Sequence, residues 1–120
     1  MWKQLLVVGI GGALGSMLRF LLNTGLKNQQ FPLTTLLINI IGSFAIGAFA
    51  ALSLKNTAMS DTMKLFFMTG ICGGFTTFSA FSLENIQLIQ QGKTTLALLY
   101  ILLSIIGGLL ATWLAIRLVN

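Results

Sequence analysis

The 120-residue chain has no histidine, one cysteine, one proline and only two acids, Asp61 and Glu84. Without histidine, an acid pair or a cluster of metal-ligating side chains, hydrolytic and redox chemistry lack their usual groups, so the sequence does not read as an enzyme. The single cysteine, Cys72, excludes an internal disulfide and says nothing of compartment. Charge is scarce too: 8% of residues are charged, against roughly a quarter in soluble domains. The seven basic residues give a net charge of +5, but they are spread over the segments between apolar runs and form no patch, which argues against a nucleic-acid partner.

What is present is apolar. Hydrophobic residues make up 56% of the chain and the mean hydropathy is +0.94. Long apolar runs occur at 4–26, 33–54, 64–90 and 94–118, each reaching the roughly 20 residues a helix needs to cross about 30 Å of hydrocarbon. The reading is an all-α membrane protein, with residues 1–120 forming a single four-helix transmembrane domain. The "MWK" start resembles that of a signal peptide. However, "LGSMLRF" carries an arginine and no small-residue cleavage site, and the run is too long for a signal's apolar region, so the first run reads as a retained span. The connections "KNQQFP", "KNTAMSDT" and "QGK" are short. Short links favour antiparallel neighbours in one compact bundle, and four spans put both termini on one side.

Orientation is weakly specified. The face with the termini and the middle loop carries Lys3, Lys55, Lys64 and Arg117; the opposite face carries Arg19, Lys27 and Lys93. Four against three is almost no bias under the positive-inside rule. Either other signals orient the protein, or the chain inserts both ways and pairs with its inverted copy. Four helices fill their own centre with side chains, so a polar path across the membrane would require a second subunit.

Several residues are candidates for chemistry. "GIGGALG" at 9–15 has the glycines of a dinucleotide loop but not the strand that must precede it; Gly11 and Gly15 form a G-x-x-x-G pair suited to helix packing. Asn39 in mid-span is either an interhelical hydrogen-bonding group or part of a pathway. Arg19 either snorkels to the interface or draws an anion into a vestibule. Glu84, the only acid within a span, is a functional candidate or an interfacial one.

The third run is the most informative. As one straight helix, residues 63–90 would be about 42 Å long, more than the hydrocarbon thickness, so a break or strong tilt is expected. Gly73 and Gly74 in "GGFTTFSAFS" are the expected breaking point. An unwound turn there frees carbonyls that protein, water or an ion must satisfy, and carbonyls without nearby acids suit a monovalent cation such as Na⁺. Phe75, Phe78 and Phe81 recur every third residue among Thr76, Thr77, Ser79 and Ser82. They are either packing residues or, with their positive ring edges beside hydroxyl donors, the lining of a route for a small anion.

"GGFTTFSAF" in the third span, "NIIGSFAIG" in the second and "GGALGSMLR" in the first resemble the Fluc (CrcB) family of fluoride channels, across all four spans and in the same order. The resemblance implies an antiparallel dual-topology homodimer whose third helix is broken near Gly73–Ser79, with two fluoride pathways and one central, structural Na⁺ that is not transported. Gly73 and Thr76 match the carbonyl donors to that ion. Phe78 and Phe81 match the paired pore aromatics and Asn39 the pore asparagine. A looser match adds Ser79, Glu84, Tyr100 and Thr112 to the polar lining and Arg19 to the vestibule. The implied role is passive fluoride efflux from the cytoplasm of a bacterium, across its plasma (inner) membrane, with lipid around the dimer. The competing reading is a small multidrug-type proton-coupled exporter. Its carboxylate belongs in the first span, where this chain has none. A third reading, an assembly subunit without transport, leaves the hydroxyls unused.

Overall fold

Runs of leucine, isoleucine and alanine, uninterrupted by proline, satisfy their backbone groups internally as helix, the one open form that tolerates lipid. The computed structural model describes residues 1–26, 31–55 and 59–120. Lys27 and parts of the first two connections lie outside the described residues. Helix α1 spans Trp2–Gly25 and α2 spans Leu33–Lys55. The third span is composite: α3 (Asp61–Lys64), a wide π-helical stretch (Leu65–Cys72), α4 (Gly73–Phe75) and α5 (Phe78–Gln90). Helix α6 spans Thr94–Val119. All four spans are long and apolar enough to cross a membrane.

The ends of the third span are set by local chemistry. Ser60 caps α3, its hydroxyl accepting from the Met63 amide at 3.2 Å. At the other end Gly92 takes a φ of 79°, a conformation that glycine adopts without steric cost, and the chain turns into α6.

The closest packing is between alternate spans rather than sequential ones. Gly11 lies against Phe66 and Gly70, Gly12 against Gly74, and Gly15 against Ile71 and Phe75, so α1 runs parallel to the first half of the third span. Ile40 meets Gly107, Gly47 meets Thr112 and Ala115, and the Lys55 Nζ donates to the Val119 carbonyl at 3.0 Å, so α2 runs parallel to α6. Sequential spans are antiparallel, as short links require, but they are not the tightest partners. Backbone proximity decides the pairing, because glycine allows closer approach than the leucine-rich faces do.

The G-x-x-x-G reading holds. Gly11 and Gly15 are buried, and a Cβ at Gly11 would come within 2.6 Å of the Phe66 carbonyl oxygen. A Cβ at Gly15 would overlap the Ile71 carbonyl. The neighbours here are backbone and cannot rotate away. Gly15→Val is therefore expected to destabilise the fold by at least about 1–3 kcal/mol, the usual cost of overpacking. Thermal unfolding in detergent would measure it, and a wild-type midpoint would rule out this contact as a packing determinant.

Candidate functional site

The helix breaks at Thr76–Thr77, inside the expected stretch but three residues beyond the glycines. Gly73 and Gly74 are helical; Thr76 (φ −82°, ψ 156°) and Thr77 (φ −150°, ψ 119°) are extended. The glycines serve packing instead, since a Cβ at Gly74 would overlap the backbone of Gly12. This also corrects the aromatic register. The break separates Phe75 from Phe78 and Phe81, so the three rings do not share one helical face. Only Phe78 and Phe81 lie together on α5, their centroids 5.7 Å apart.

Asn39 of α2 holds the break open. Its Nδ2 donates to the Thr77 carbonyl at 3.1 Å, and its Oδ1 accepts from the Thr77 amide at 2.9 Å. The two ends of one amide thus satisfy both backbone groups of an unwound residue in mid-span, where unpaired groups cost several kcal/mol. Thr76 folds back, its amide and its Oγ1 both donating to the Cys72 carbonyl at 3.1 and 2.9 Å. Its methyl occupies the space a Cβ at Gly42 would fill. The Thr77 hydroxyl accepts from the Ala80 amide at 3.2 Å, capping α5, and lies 3.3 Å from the Ser79 hydroxyl.

From the first span, Arg19 reaches this break rather than solvent alone: its Nε donates to the Gly74 carbonyl at 3.3 Å, joined by the Ser16 hydroxyl at 3.4 Å. A cation there favours the carbonyl end of the preceding helical turns. Asn39, Gly73, Thr76, Thr77 and Phe78 line an open cleft of 310 Å³. Phe78 is 78% exposed.

A second polar cluster lies deeper in α5. The Thr35 hydroxyl donates to the Glu84 Oε2 at 2.9 Å and the Tyr100 hydroxyl donates to Oε1 at 2.8 Å. Tyr100 is 0% exposed and packs edge-on against Phe81 (centroids 5.0 Å apart) and Phe31 (5.5 Å). Phe81 therefore joins the exposed Phe78 to the half-buried carboxylate and its two hydroxyl partners. Thr112 does not share this cluster. It lies on α6 twelve residues from Tyr100, about 18 Å along the helix, and its hydroxyl donates to the Ser43 carbonyl at 2.9 Å.

Sequence reasoning missed three polar residues here. Thr35 has no signal beyond its place among leucines. The Asn85 Oδ1 and the Ser104 Oγ are buried without a hydrogen-bond partner, and their burial is visible only in three dimensions. No group of three or more His, Cys, Asp or Glu side chains able to hold a metal exists among the described residues.

Residues 6–116 match the sequence model of the family described as CrcB-like protein, Camphor Resistance (CrcB). The fluoride-specific ion channel FluC of Azobacteroides pseudotrichonymphae is 51% identical over 111 residues, covering 90% of this chain and 89% of that protein. The chain belongs to the CrcB family. Two further CrcB relatives, the FluC of Flavobacterium psychrophilum and FluC 1 of Yersinia pseudotuberculosis, are each 46% identical, covering 92% and 100% of this chain and 92% and 96% of their own lengths. With four spans and this membership, the chain is a multi-pass membrane protein.

Proposed function

We propose that the protein is a fluoride-selective channel, a passive pore rather than an enzyme, that lets fluoride leave the bacterial cytoplasm across the inner membrane. The observation that carries this is the continuity of the break. Ring edges at Phe78 and Phe81 and hydroxyls at Thr77 and Ser79 meet an asparagine amide at one end and the Glu84–Tyr100–Thr35 cluster at the other. Small hard anions favour such donors and positive ring edges. Its CrcB relatives carry fluoride channel names. Asn39, Phe78, Phe81, Ser79, Glu84 and Tyr100 are assigned to the pathway. Thr112 is assigned more distantly, and Arg19 to the vestibule. The exporter reading fares worse, since α1 contains no acid and both Glu84 oxygens are engaged by hydroxyls.

The functional unit in this reading is an antiparallel homodimer with one structural Na⁺. The residues present fit such an ion. The Thr77 amide goes to Asn39, so the Gly73 carbonyl loses its i+4 donor; the Ala80 amide goes to the Thr77 hydroxyl, so the Thr76 carbonyl loses its own. Both residues line the open cleft. Two carbonyls from one chain are too few to enclose a cation, and an inverted copy would raise the number to four. The ion would contribute positive charge at the junction of two subunits. Gly73 and Thr76 would hold it.

Reconstitution tests the function. Liposomes carrying the protein should release fluoride without moving a cationic dye and without consuming a proton gradient; dye efflux with stoichiometric proton counterflow would establish the exporter instead. Replacing Na⁺ on both sides with a large organic cation should dissociate the dimer or stop flux, because stabilisation by a bound ion vanishes with it. Unchanged flux and dimer content would remove Na⁺ from the structure.

A further inference from the structure

Two side chains at the break act on backbone groups in a way that neither packing nor anion contact requires. Each takes a hydrogen bond that a continuous helix would have given to a carbonyl. Asn39 Oδ1 accepts the Thr77 amide at 2.9 Å, which would otherwise close on Gly73. Thr77 Oγ1 accepts the Ala80 amide at 3.2 Å, which would otherwise close on Thr76. The Asn39 Nδ2 bond to the Thr77 carbonyl at 3.1 Å satisfies the neighbouring acceptor, and Arg19 and Ser16 occupy that of Gly74. Of the carbonyls that lose their helical donors at the break, those of Gly74 and Thr77 are taken by side chains, while Gly73 and Thr76 line the open cleft.

We propose that Asn39 and Thr77 are positioning residues for the cation: by diverting two amides they expose the Gly73 and Thr76 carbonyls, and so couple the fluoride pathway to the ion site. This rests on the reading of those two carbonyls as Na⁺ ligands. Thr77 matters through its hydroxyl, not its bulk. With the hydroxyl removed, the Ala80 amide is free to close on Thr76, and a carbonyl held by an amide binds a cation poorly. With Asn39 replaced by leucine, the Thr77 amide is free to close on Gly73, mending the helix across the site.

The test is the Na⁺ dependence of thermal stability, measured on the full chain in detergent with a large organic cation as the replacement. Wild type should be stabilised progressively as Na⁺ rises, following mass action on the folded state. In Thr77→Val and in Asn39→Leu the Na⁺ concentration giving half of that stabilisation should rise about tenfold or more, the effect of losing one hydrogen-bond-sized interaction. Thr77→Ser keeps the hydroxyl and should keep the wild-type value, which a role for the methyl group would not predict. Thr77→Ala removes the hydroxyl without an added branch and serves if the valine variant does not fold. Wild-type Na⁺ dependence in the hydroxyl-free and leucine variants would overturn the inference while leaving the ion site intact. A wild-type chain indifferent to Na⁺ would overturn the ion site itself, and the inference with it.

Discussion

Replacing Phe81 or Phe78 with isoleucine is expected to reduce fluoride efflux at least about tenfold, equivalent to roughly 1.4 kcal/mol on the barrier, while the protein stays folded. Isoleucine keeps much of the bulk but loses the ring's positive edge. The two positions separate transport from stability in different ways. Phe78 is 78% exposed, so its ring contributes little to the folding of the single chain. Phe81 packs against Tyr100 at 5.0 Å, and loss of that aromatic pair costs about 0.5–1.5 kcal/mol of stability beyond area. The Phe81 variant should thus show both a lower unfolding midpoint and a lower flux, and the Phe78 variant chiefly the second. Wild-type flux in both would return these rings to packing.

Biasing the orientation of the chain is expected to abolish function in a way that a second, oppositely biased chain repairs. The count of basic residues is four on the face with the termini and three on the other, Lys27 among the three. Two lysines added to the "QGK" turn at 91–93 would make it four against five, and two added to the loop at 55–62 would make it six against three. Lysines in short loops near span ends direct insertion, so the two variants should orient oppositely. Each alone can form only parallel pairs, not the inverted pair that the proposed function requires. Flux should therefore be lost in each and recovered on co-expression. Full activity in either variant alone, with uniform orientation confirmed by accessibility labelling, would contradict the inverted dimer.

The spans were legible because length and hydropathy are properties of the chain itself. The apolar runs at 4–26, 33–54 and 94–118 each match a helix of the structure to within two residues at either end. The pairing of spans was less legible. Short connections speak only to sequential helices, whereas the approach of Gly12 to Gly74 depends on which faces meet. The break shows the same limit more sharply. Glycine pairs suggest unwinding, but Gly73 and Gly74 remain helical because their missing side chains make room for α1. The chain unwinds where Asn39 can satisfy the opened backbone, at Thr77, and that partner lies 38 residues away in sequence. Thr35, likewise, becomes significant only through its 2.9 Å bond to Glu84, 49 residues distant.

The most direct test of a passive fluoride pathway is the reversal potential of a planar bilayer containing the protein, with unequal fluoride on the two sides. For a fluoride-selective pore it should follow the fluoride gradient at about 59 mV per tenfold ratio, the value for a single charge. Superimposed chloride, Na⁺ or proton gradients should leave it unmoved. A reversal potential that shifts with the Na⁺ or proton gradient would show that fluoride movement is coupled to another ion, and would contradict a channel.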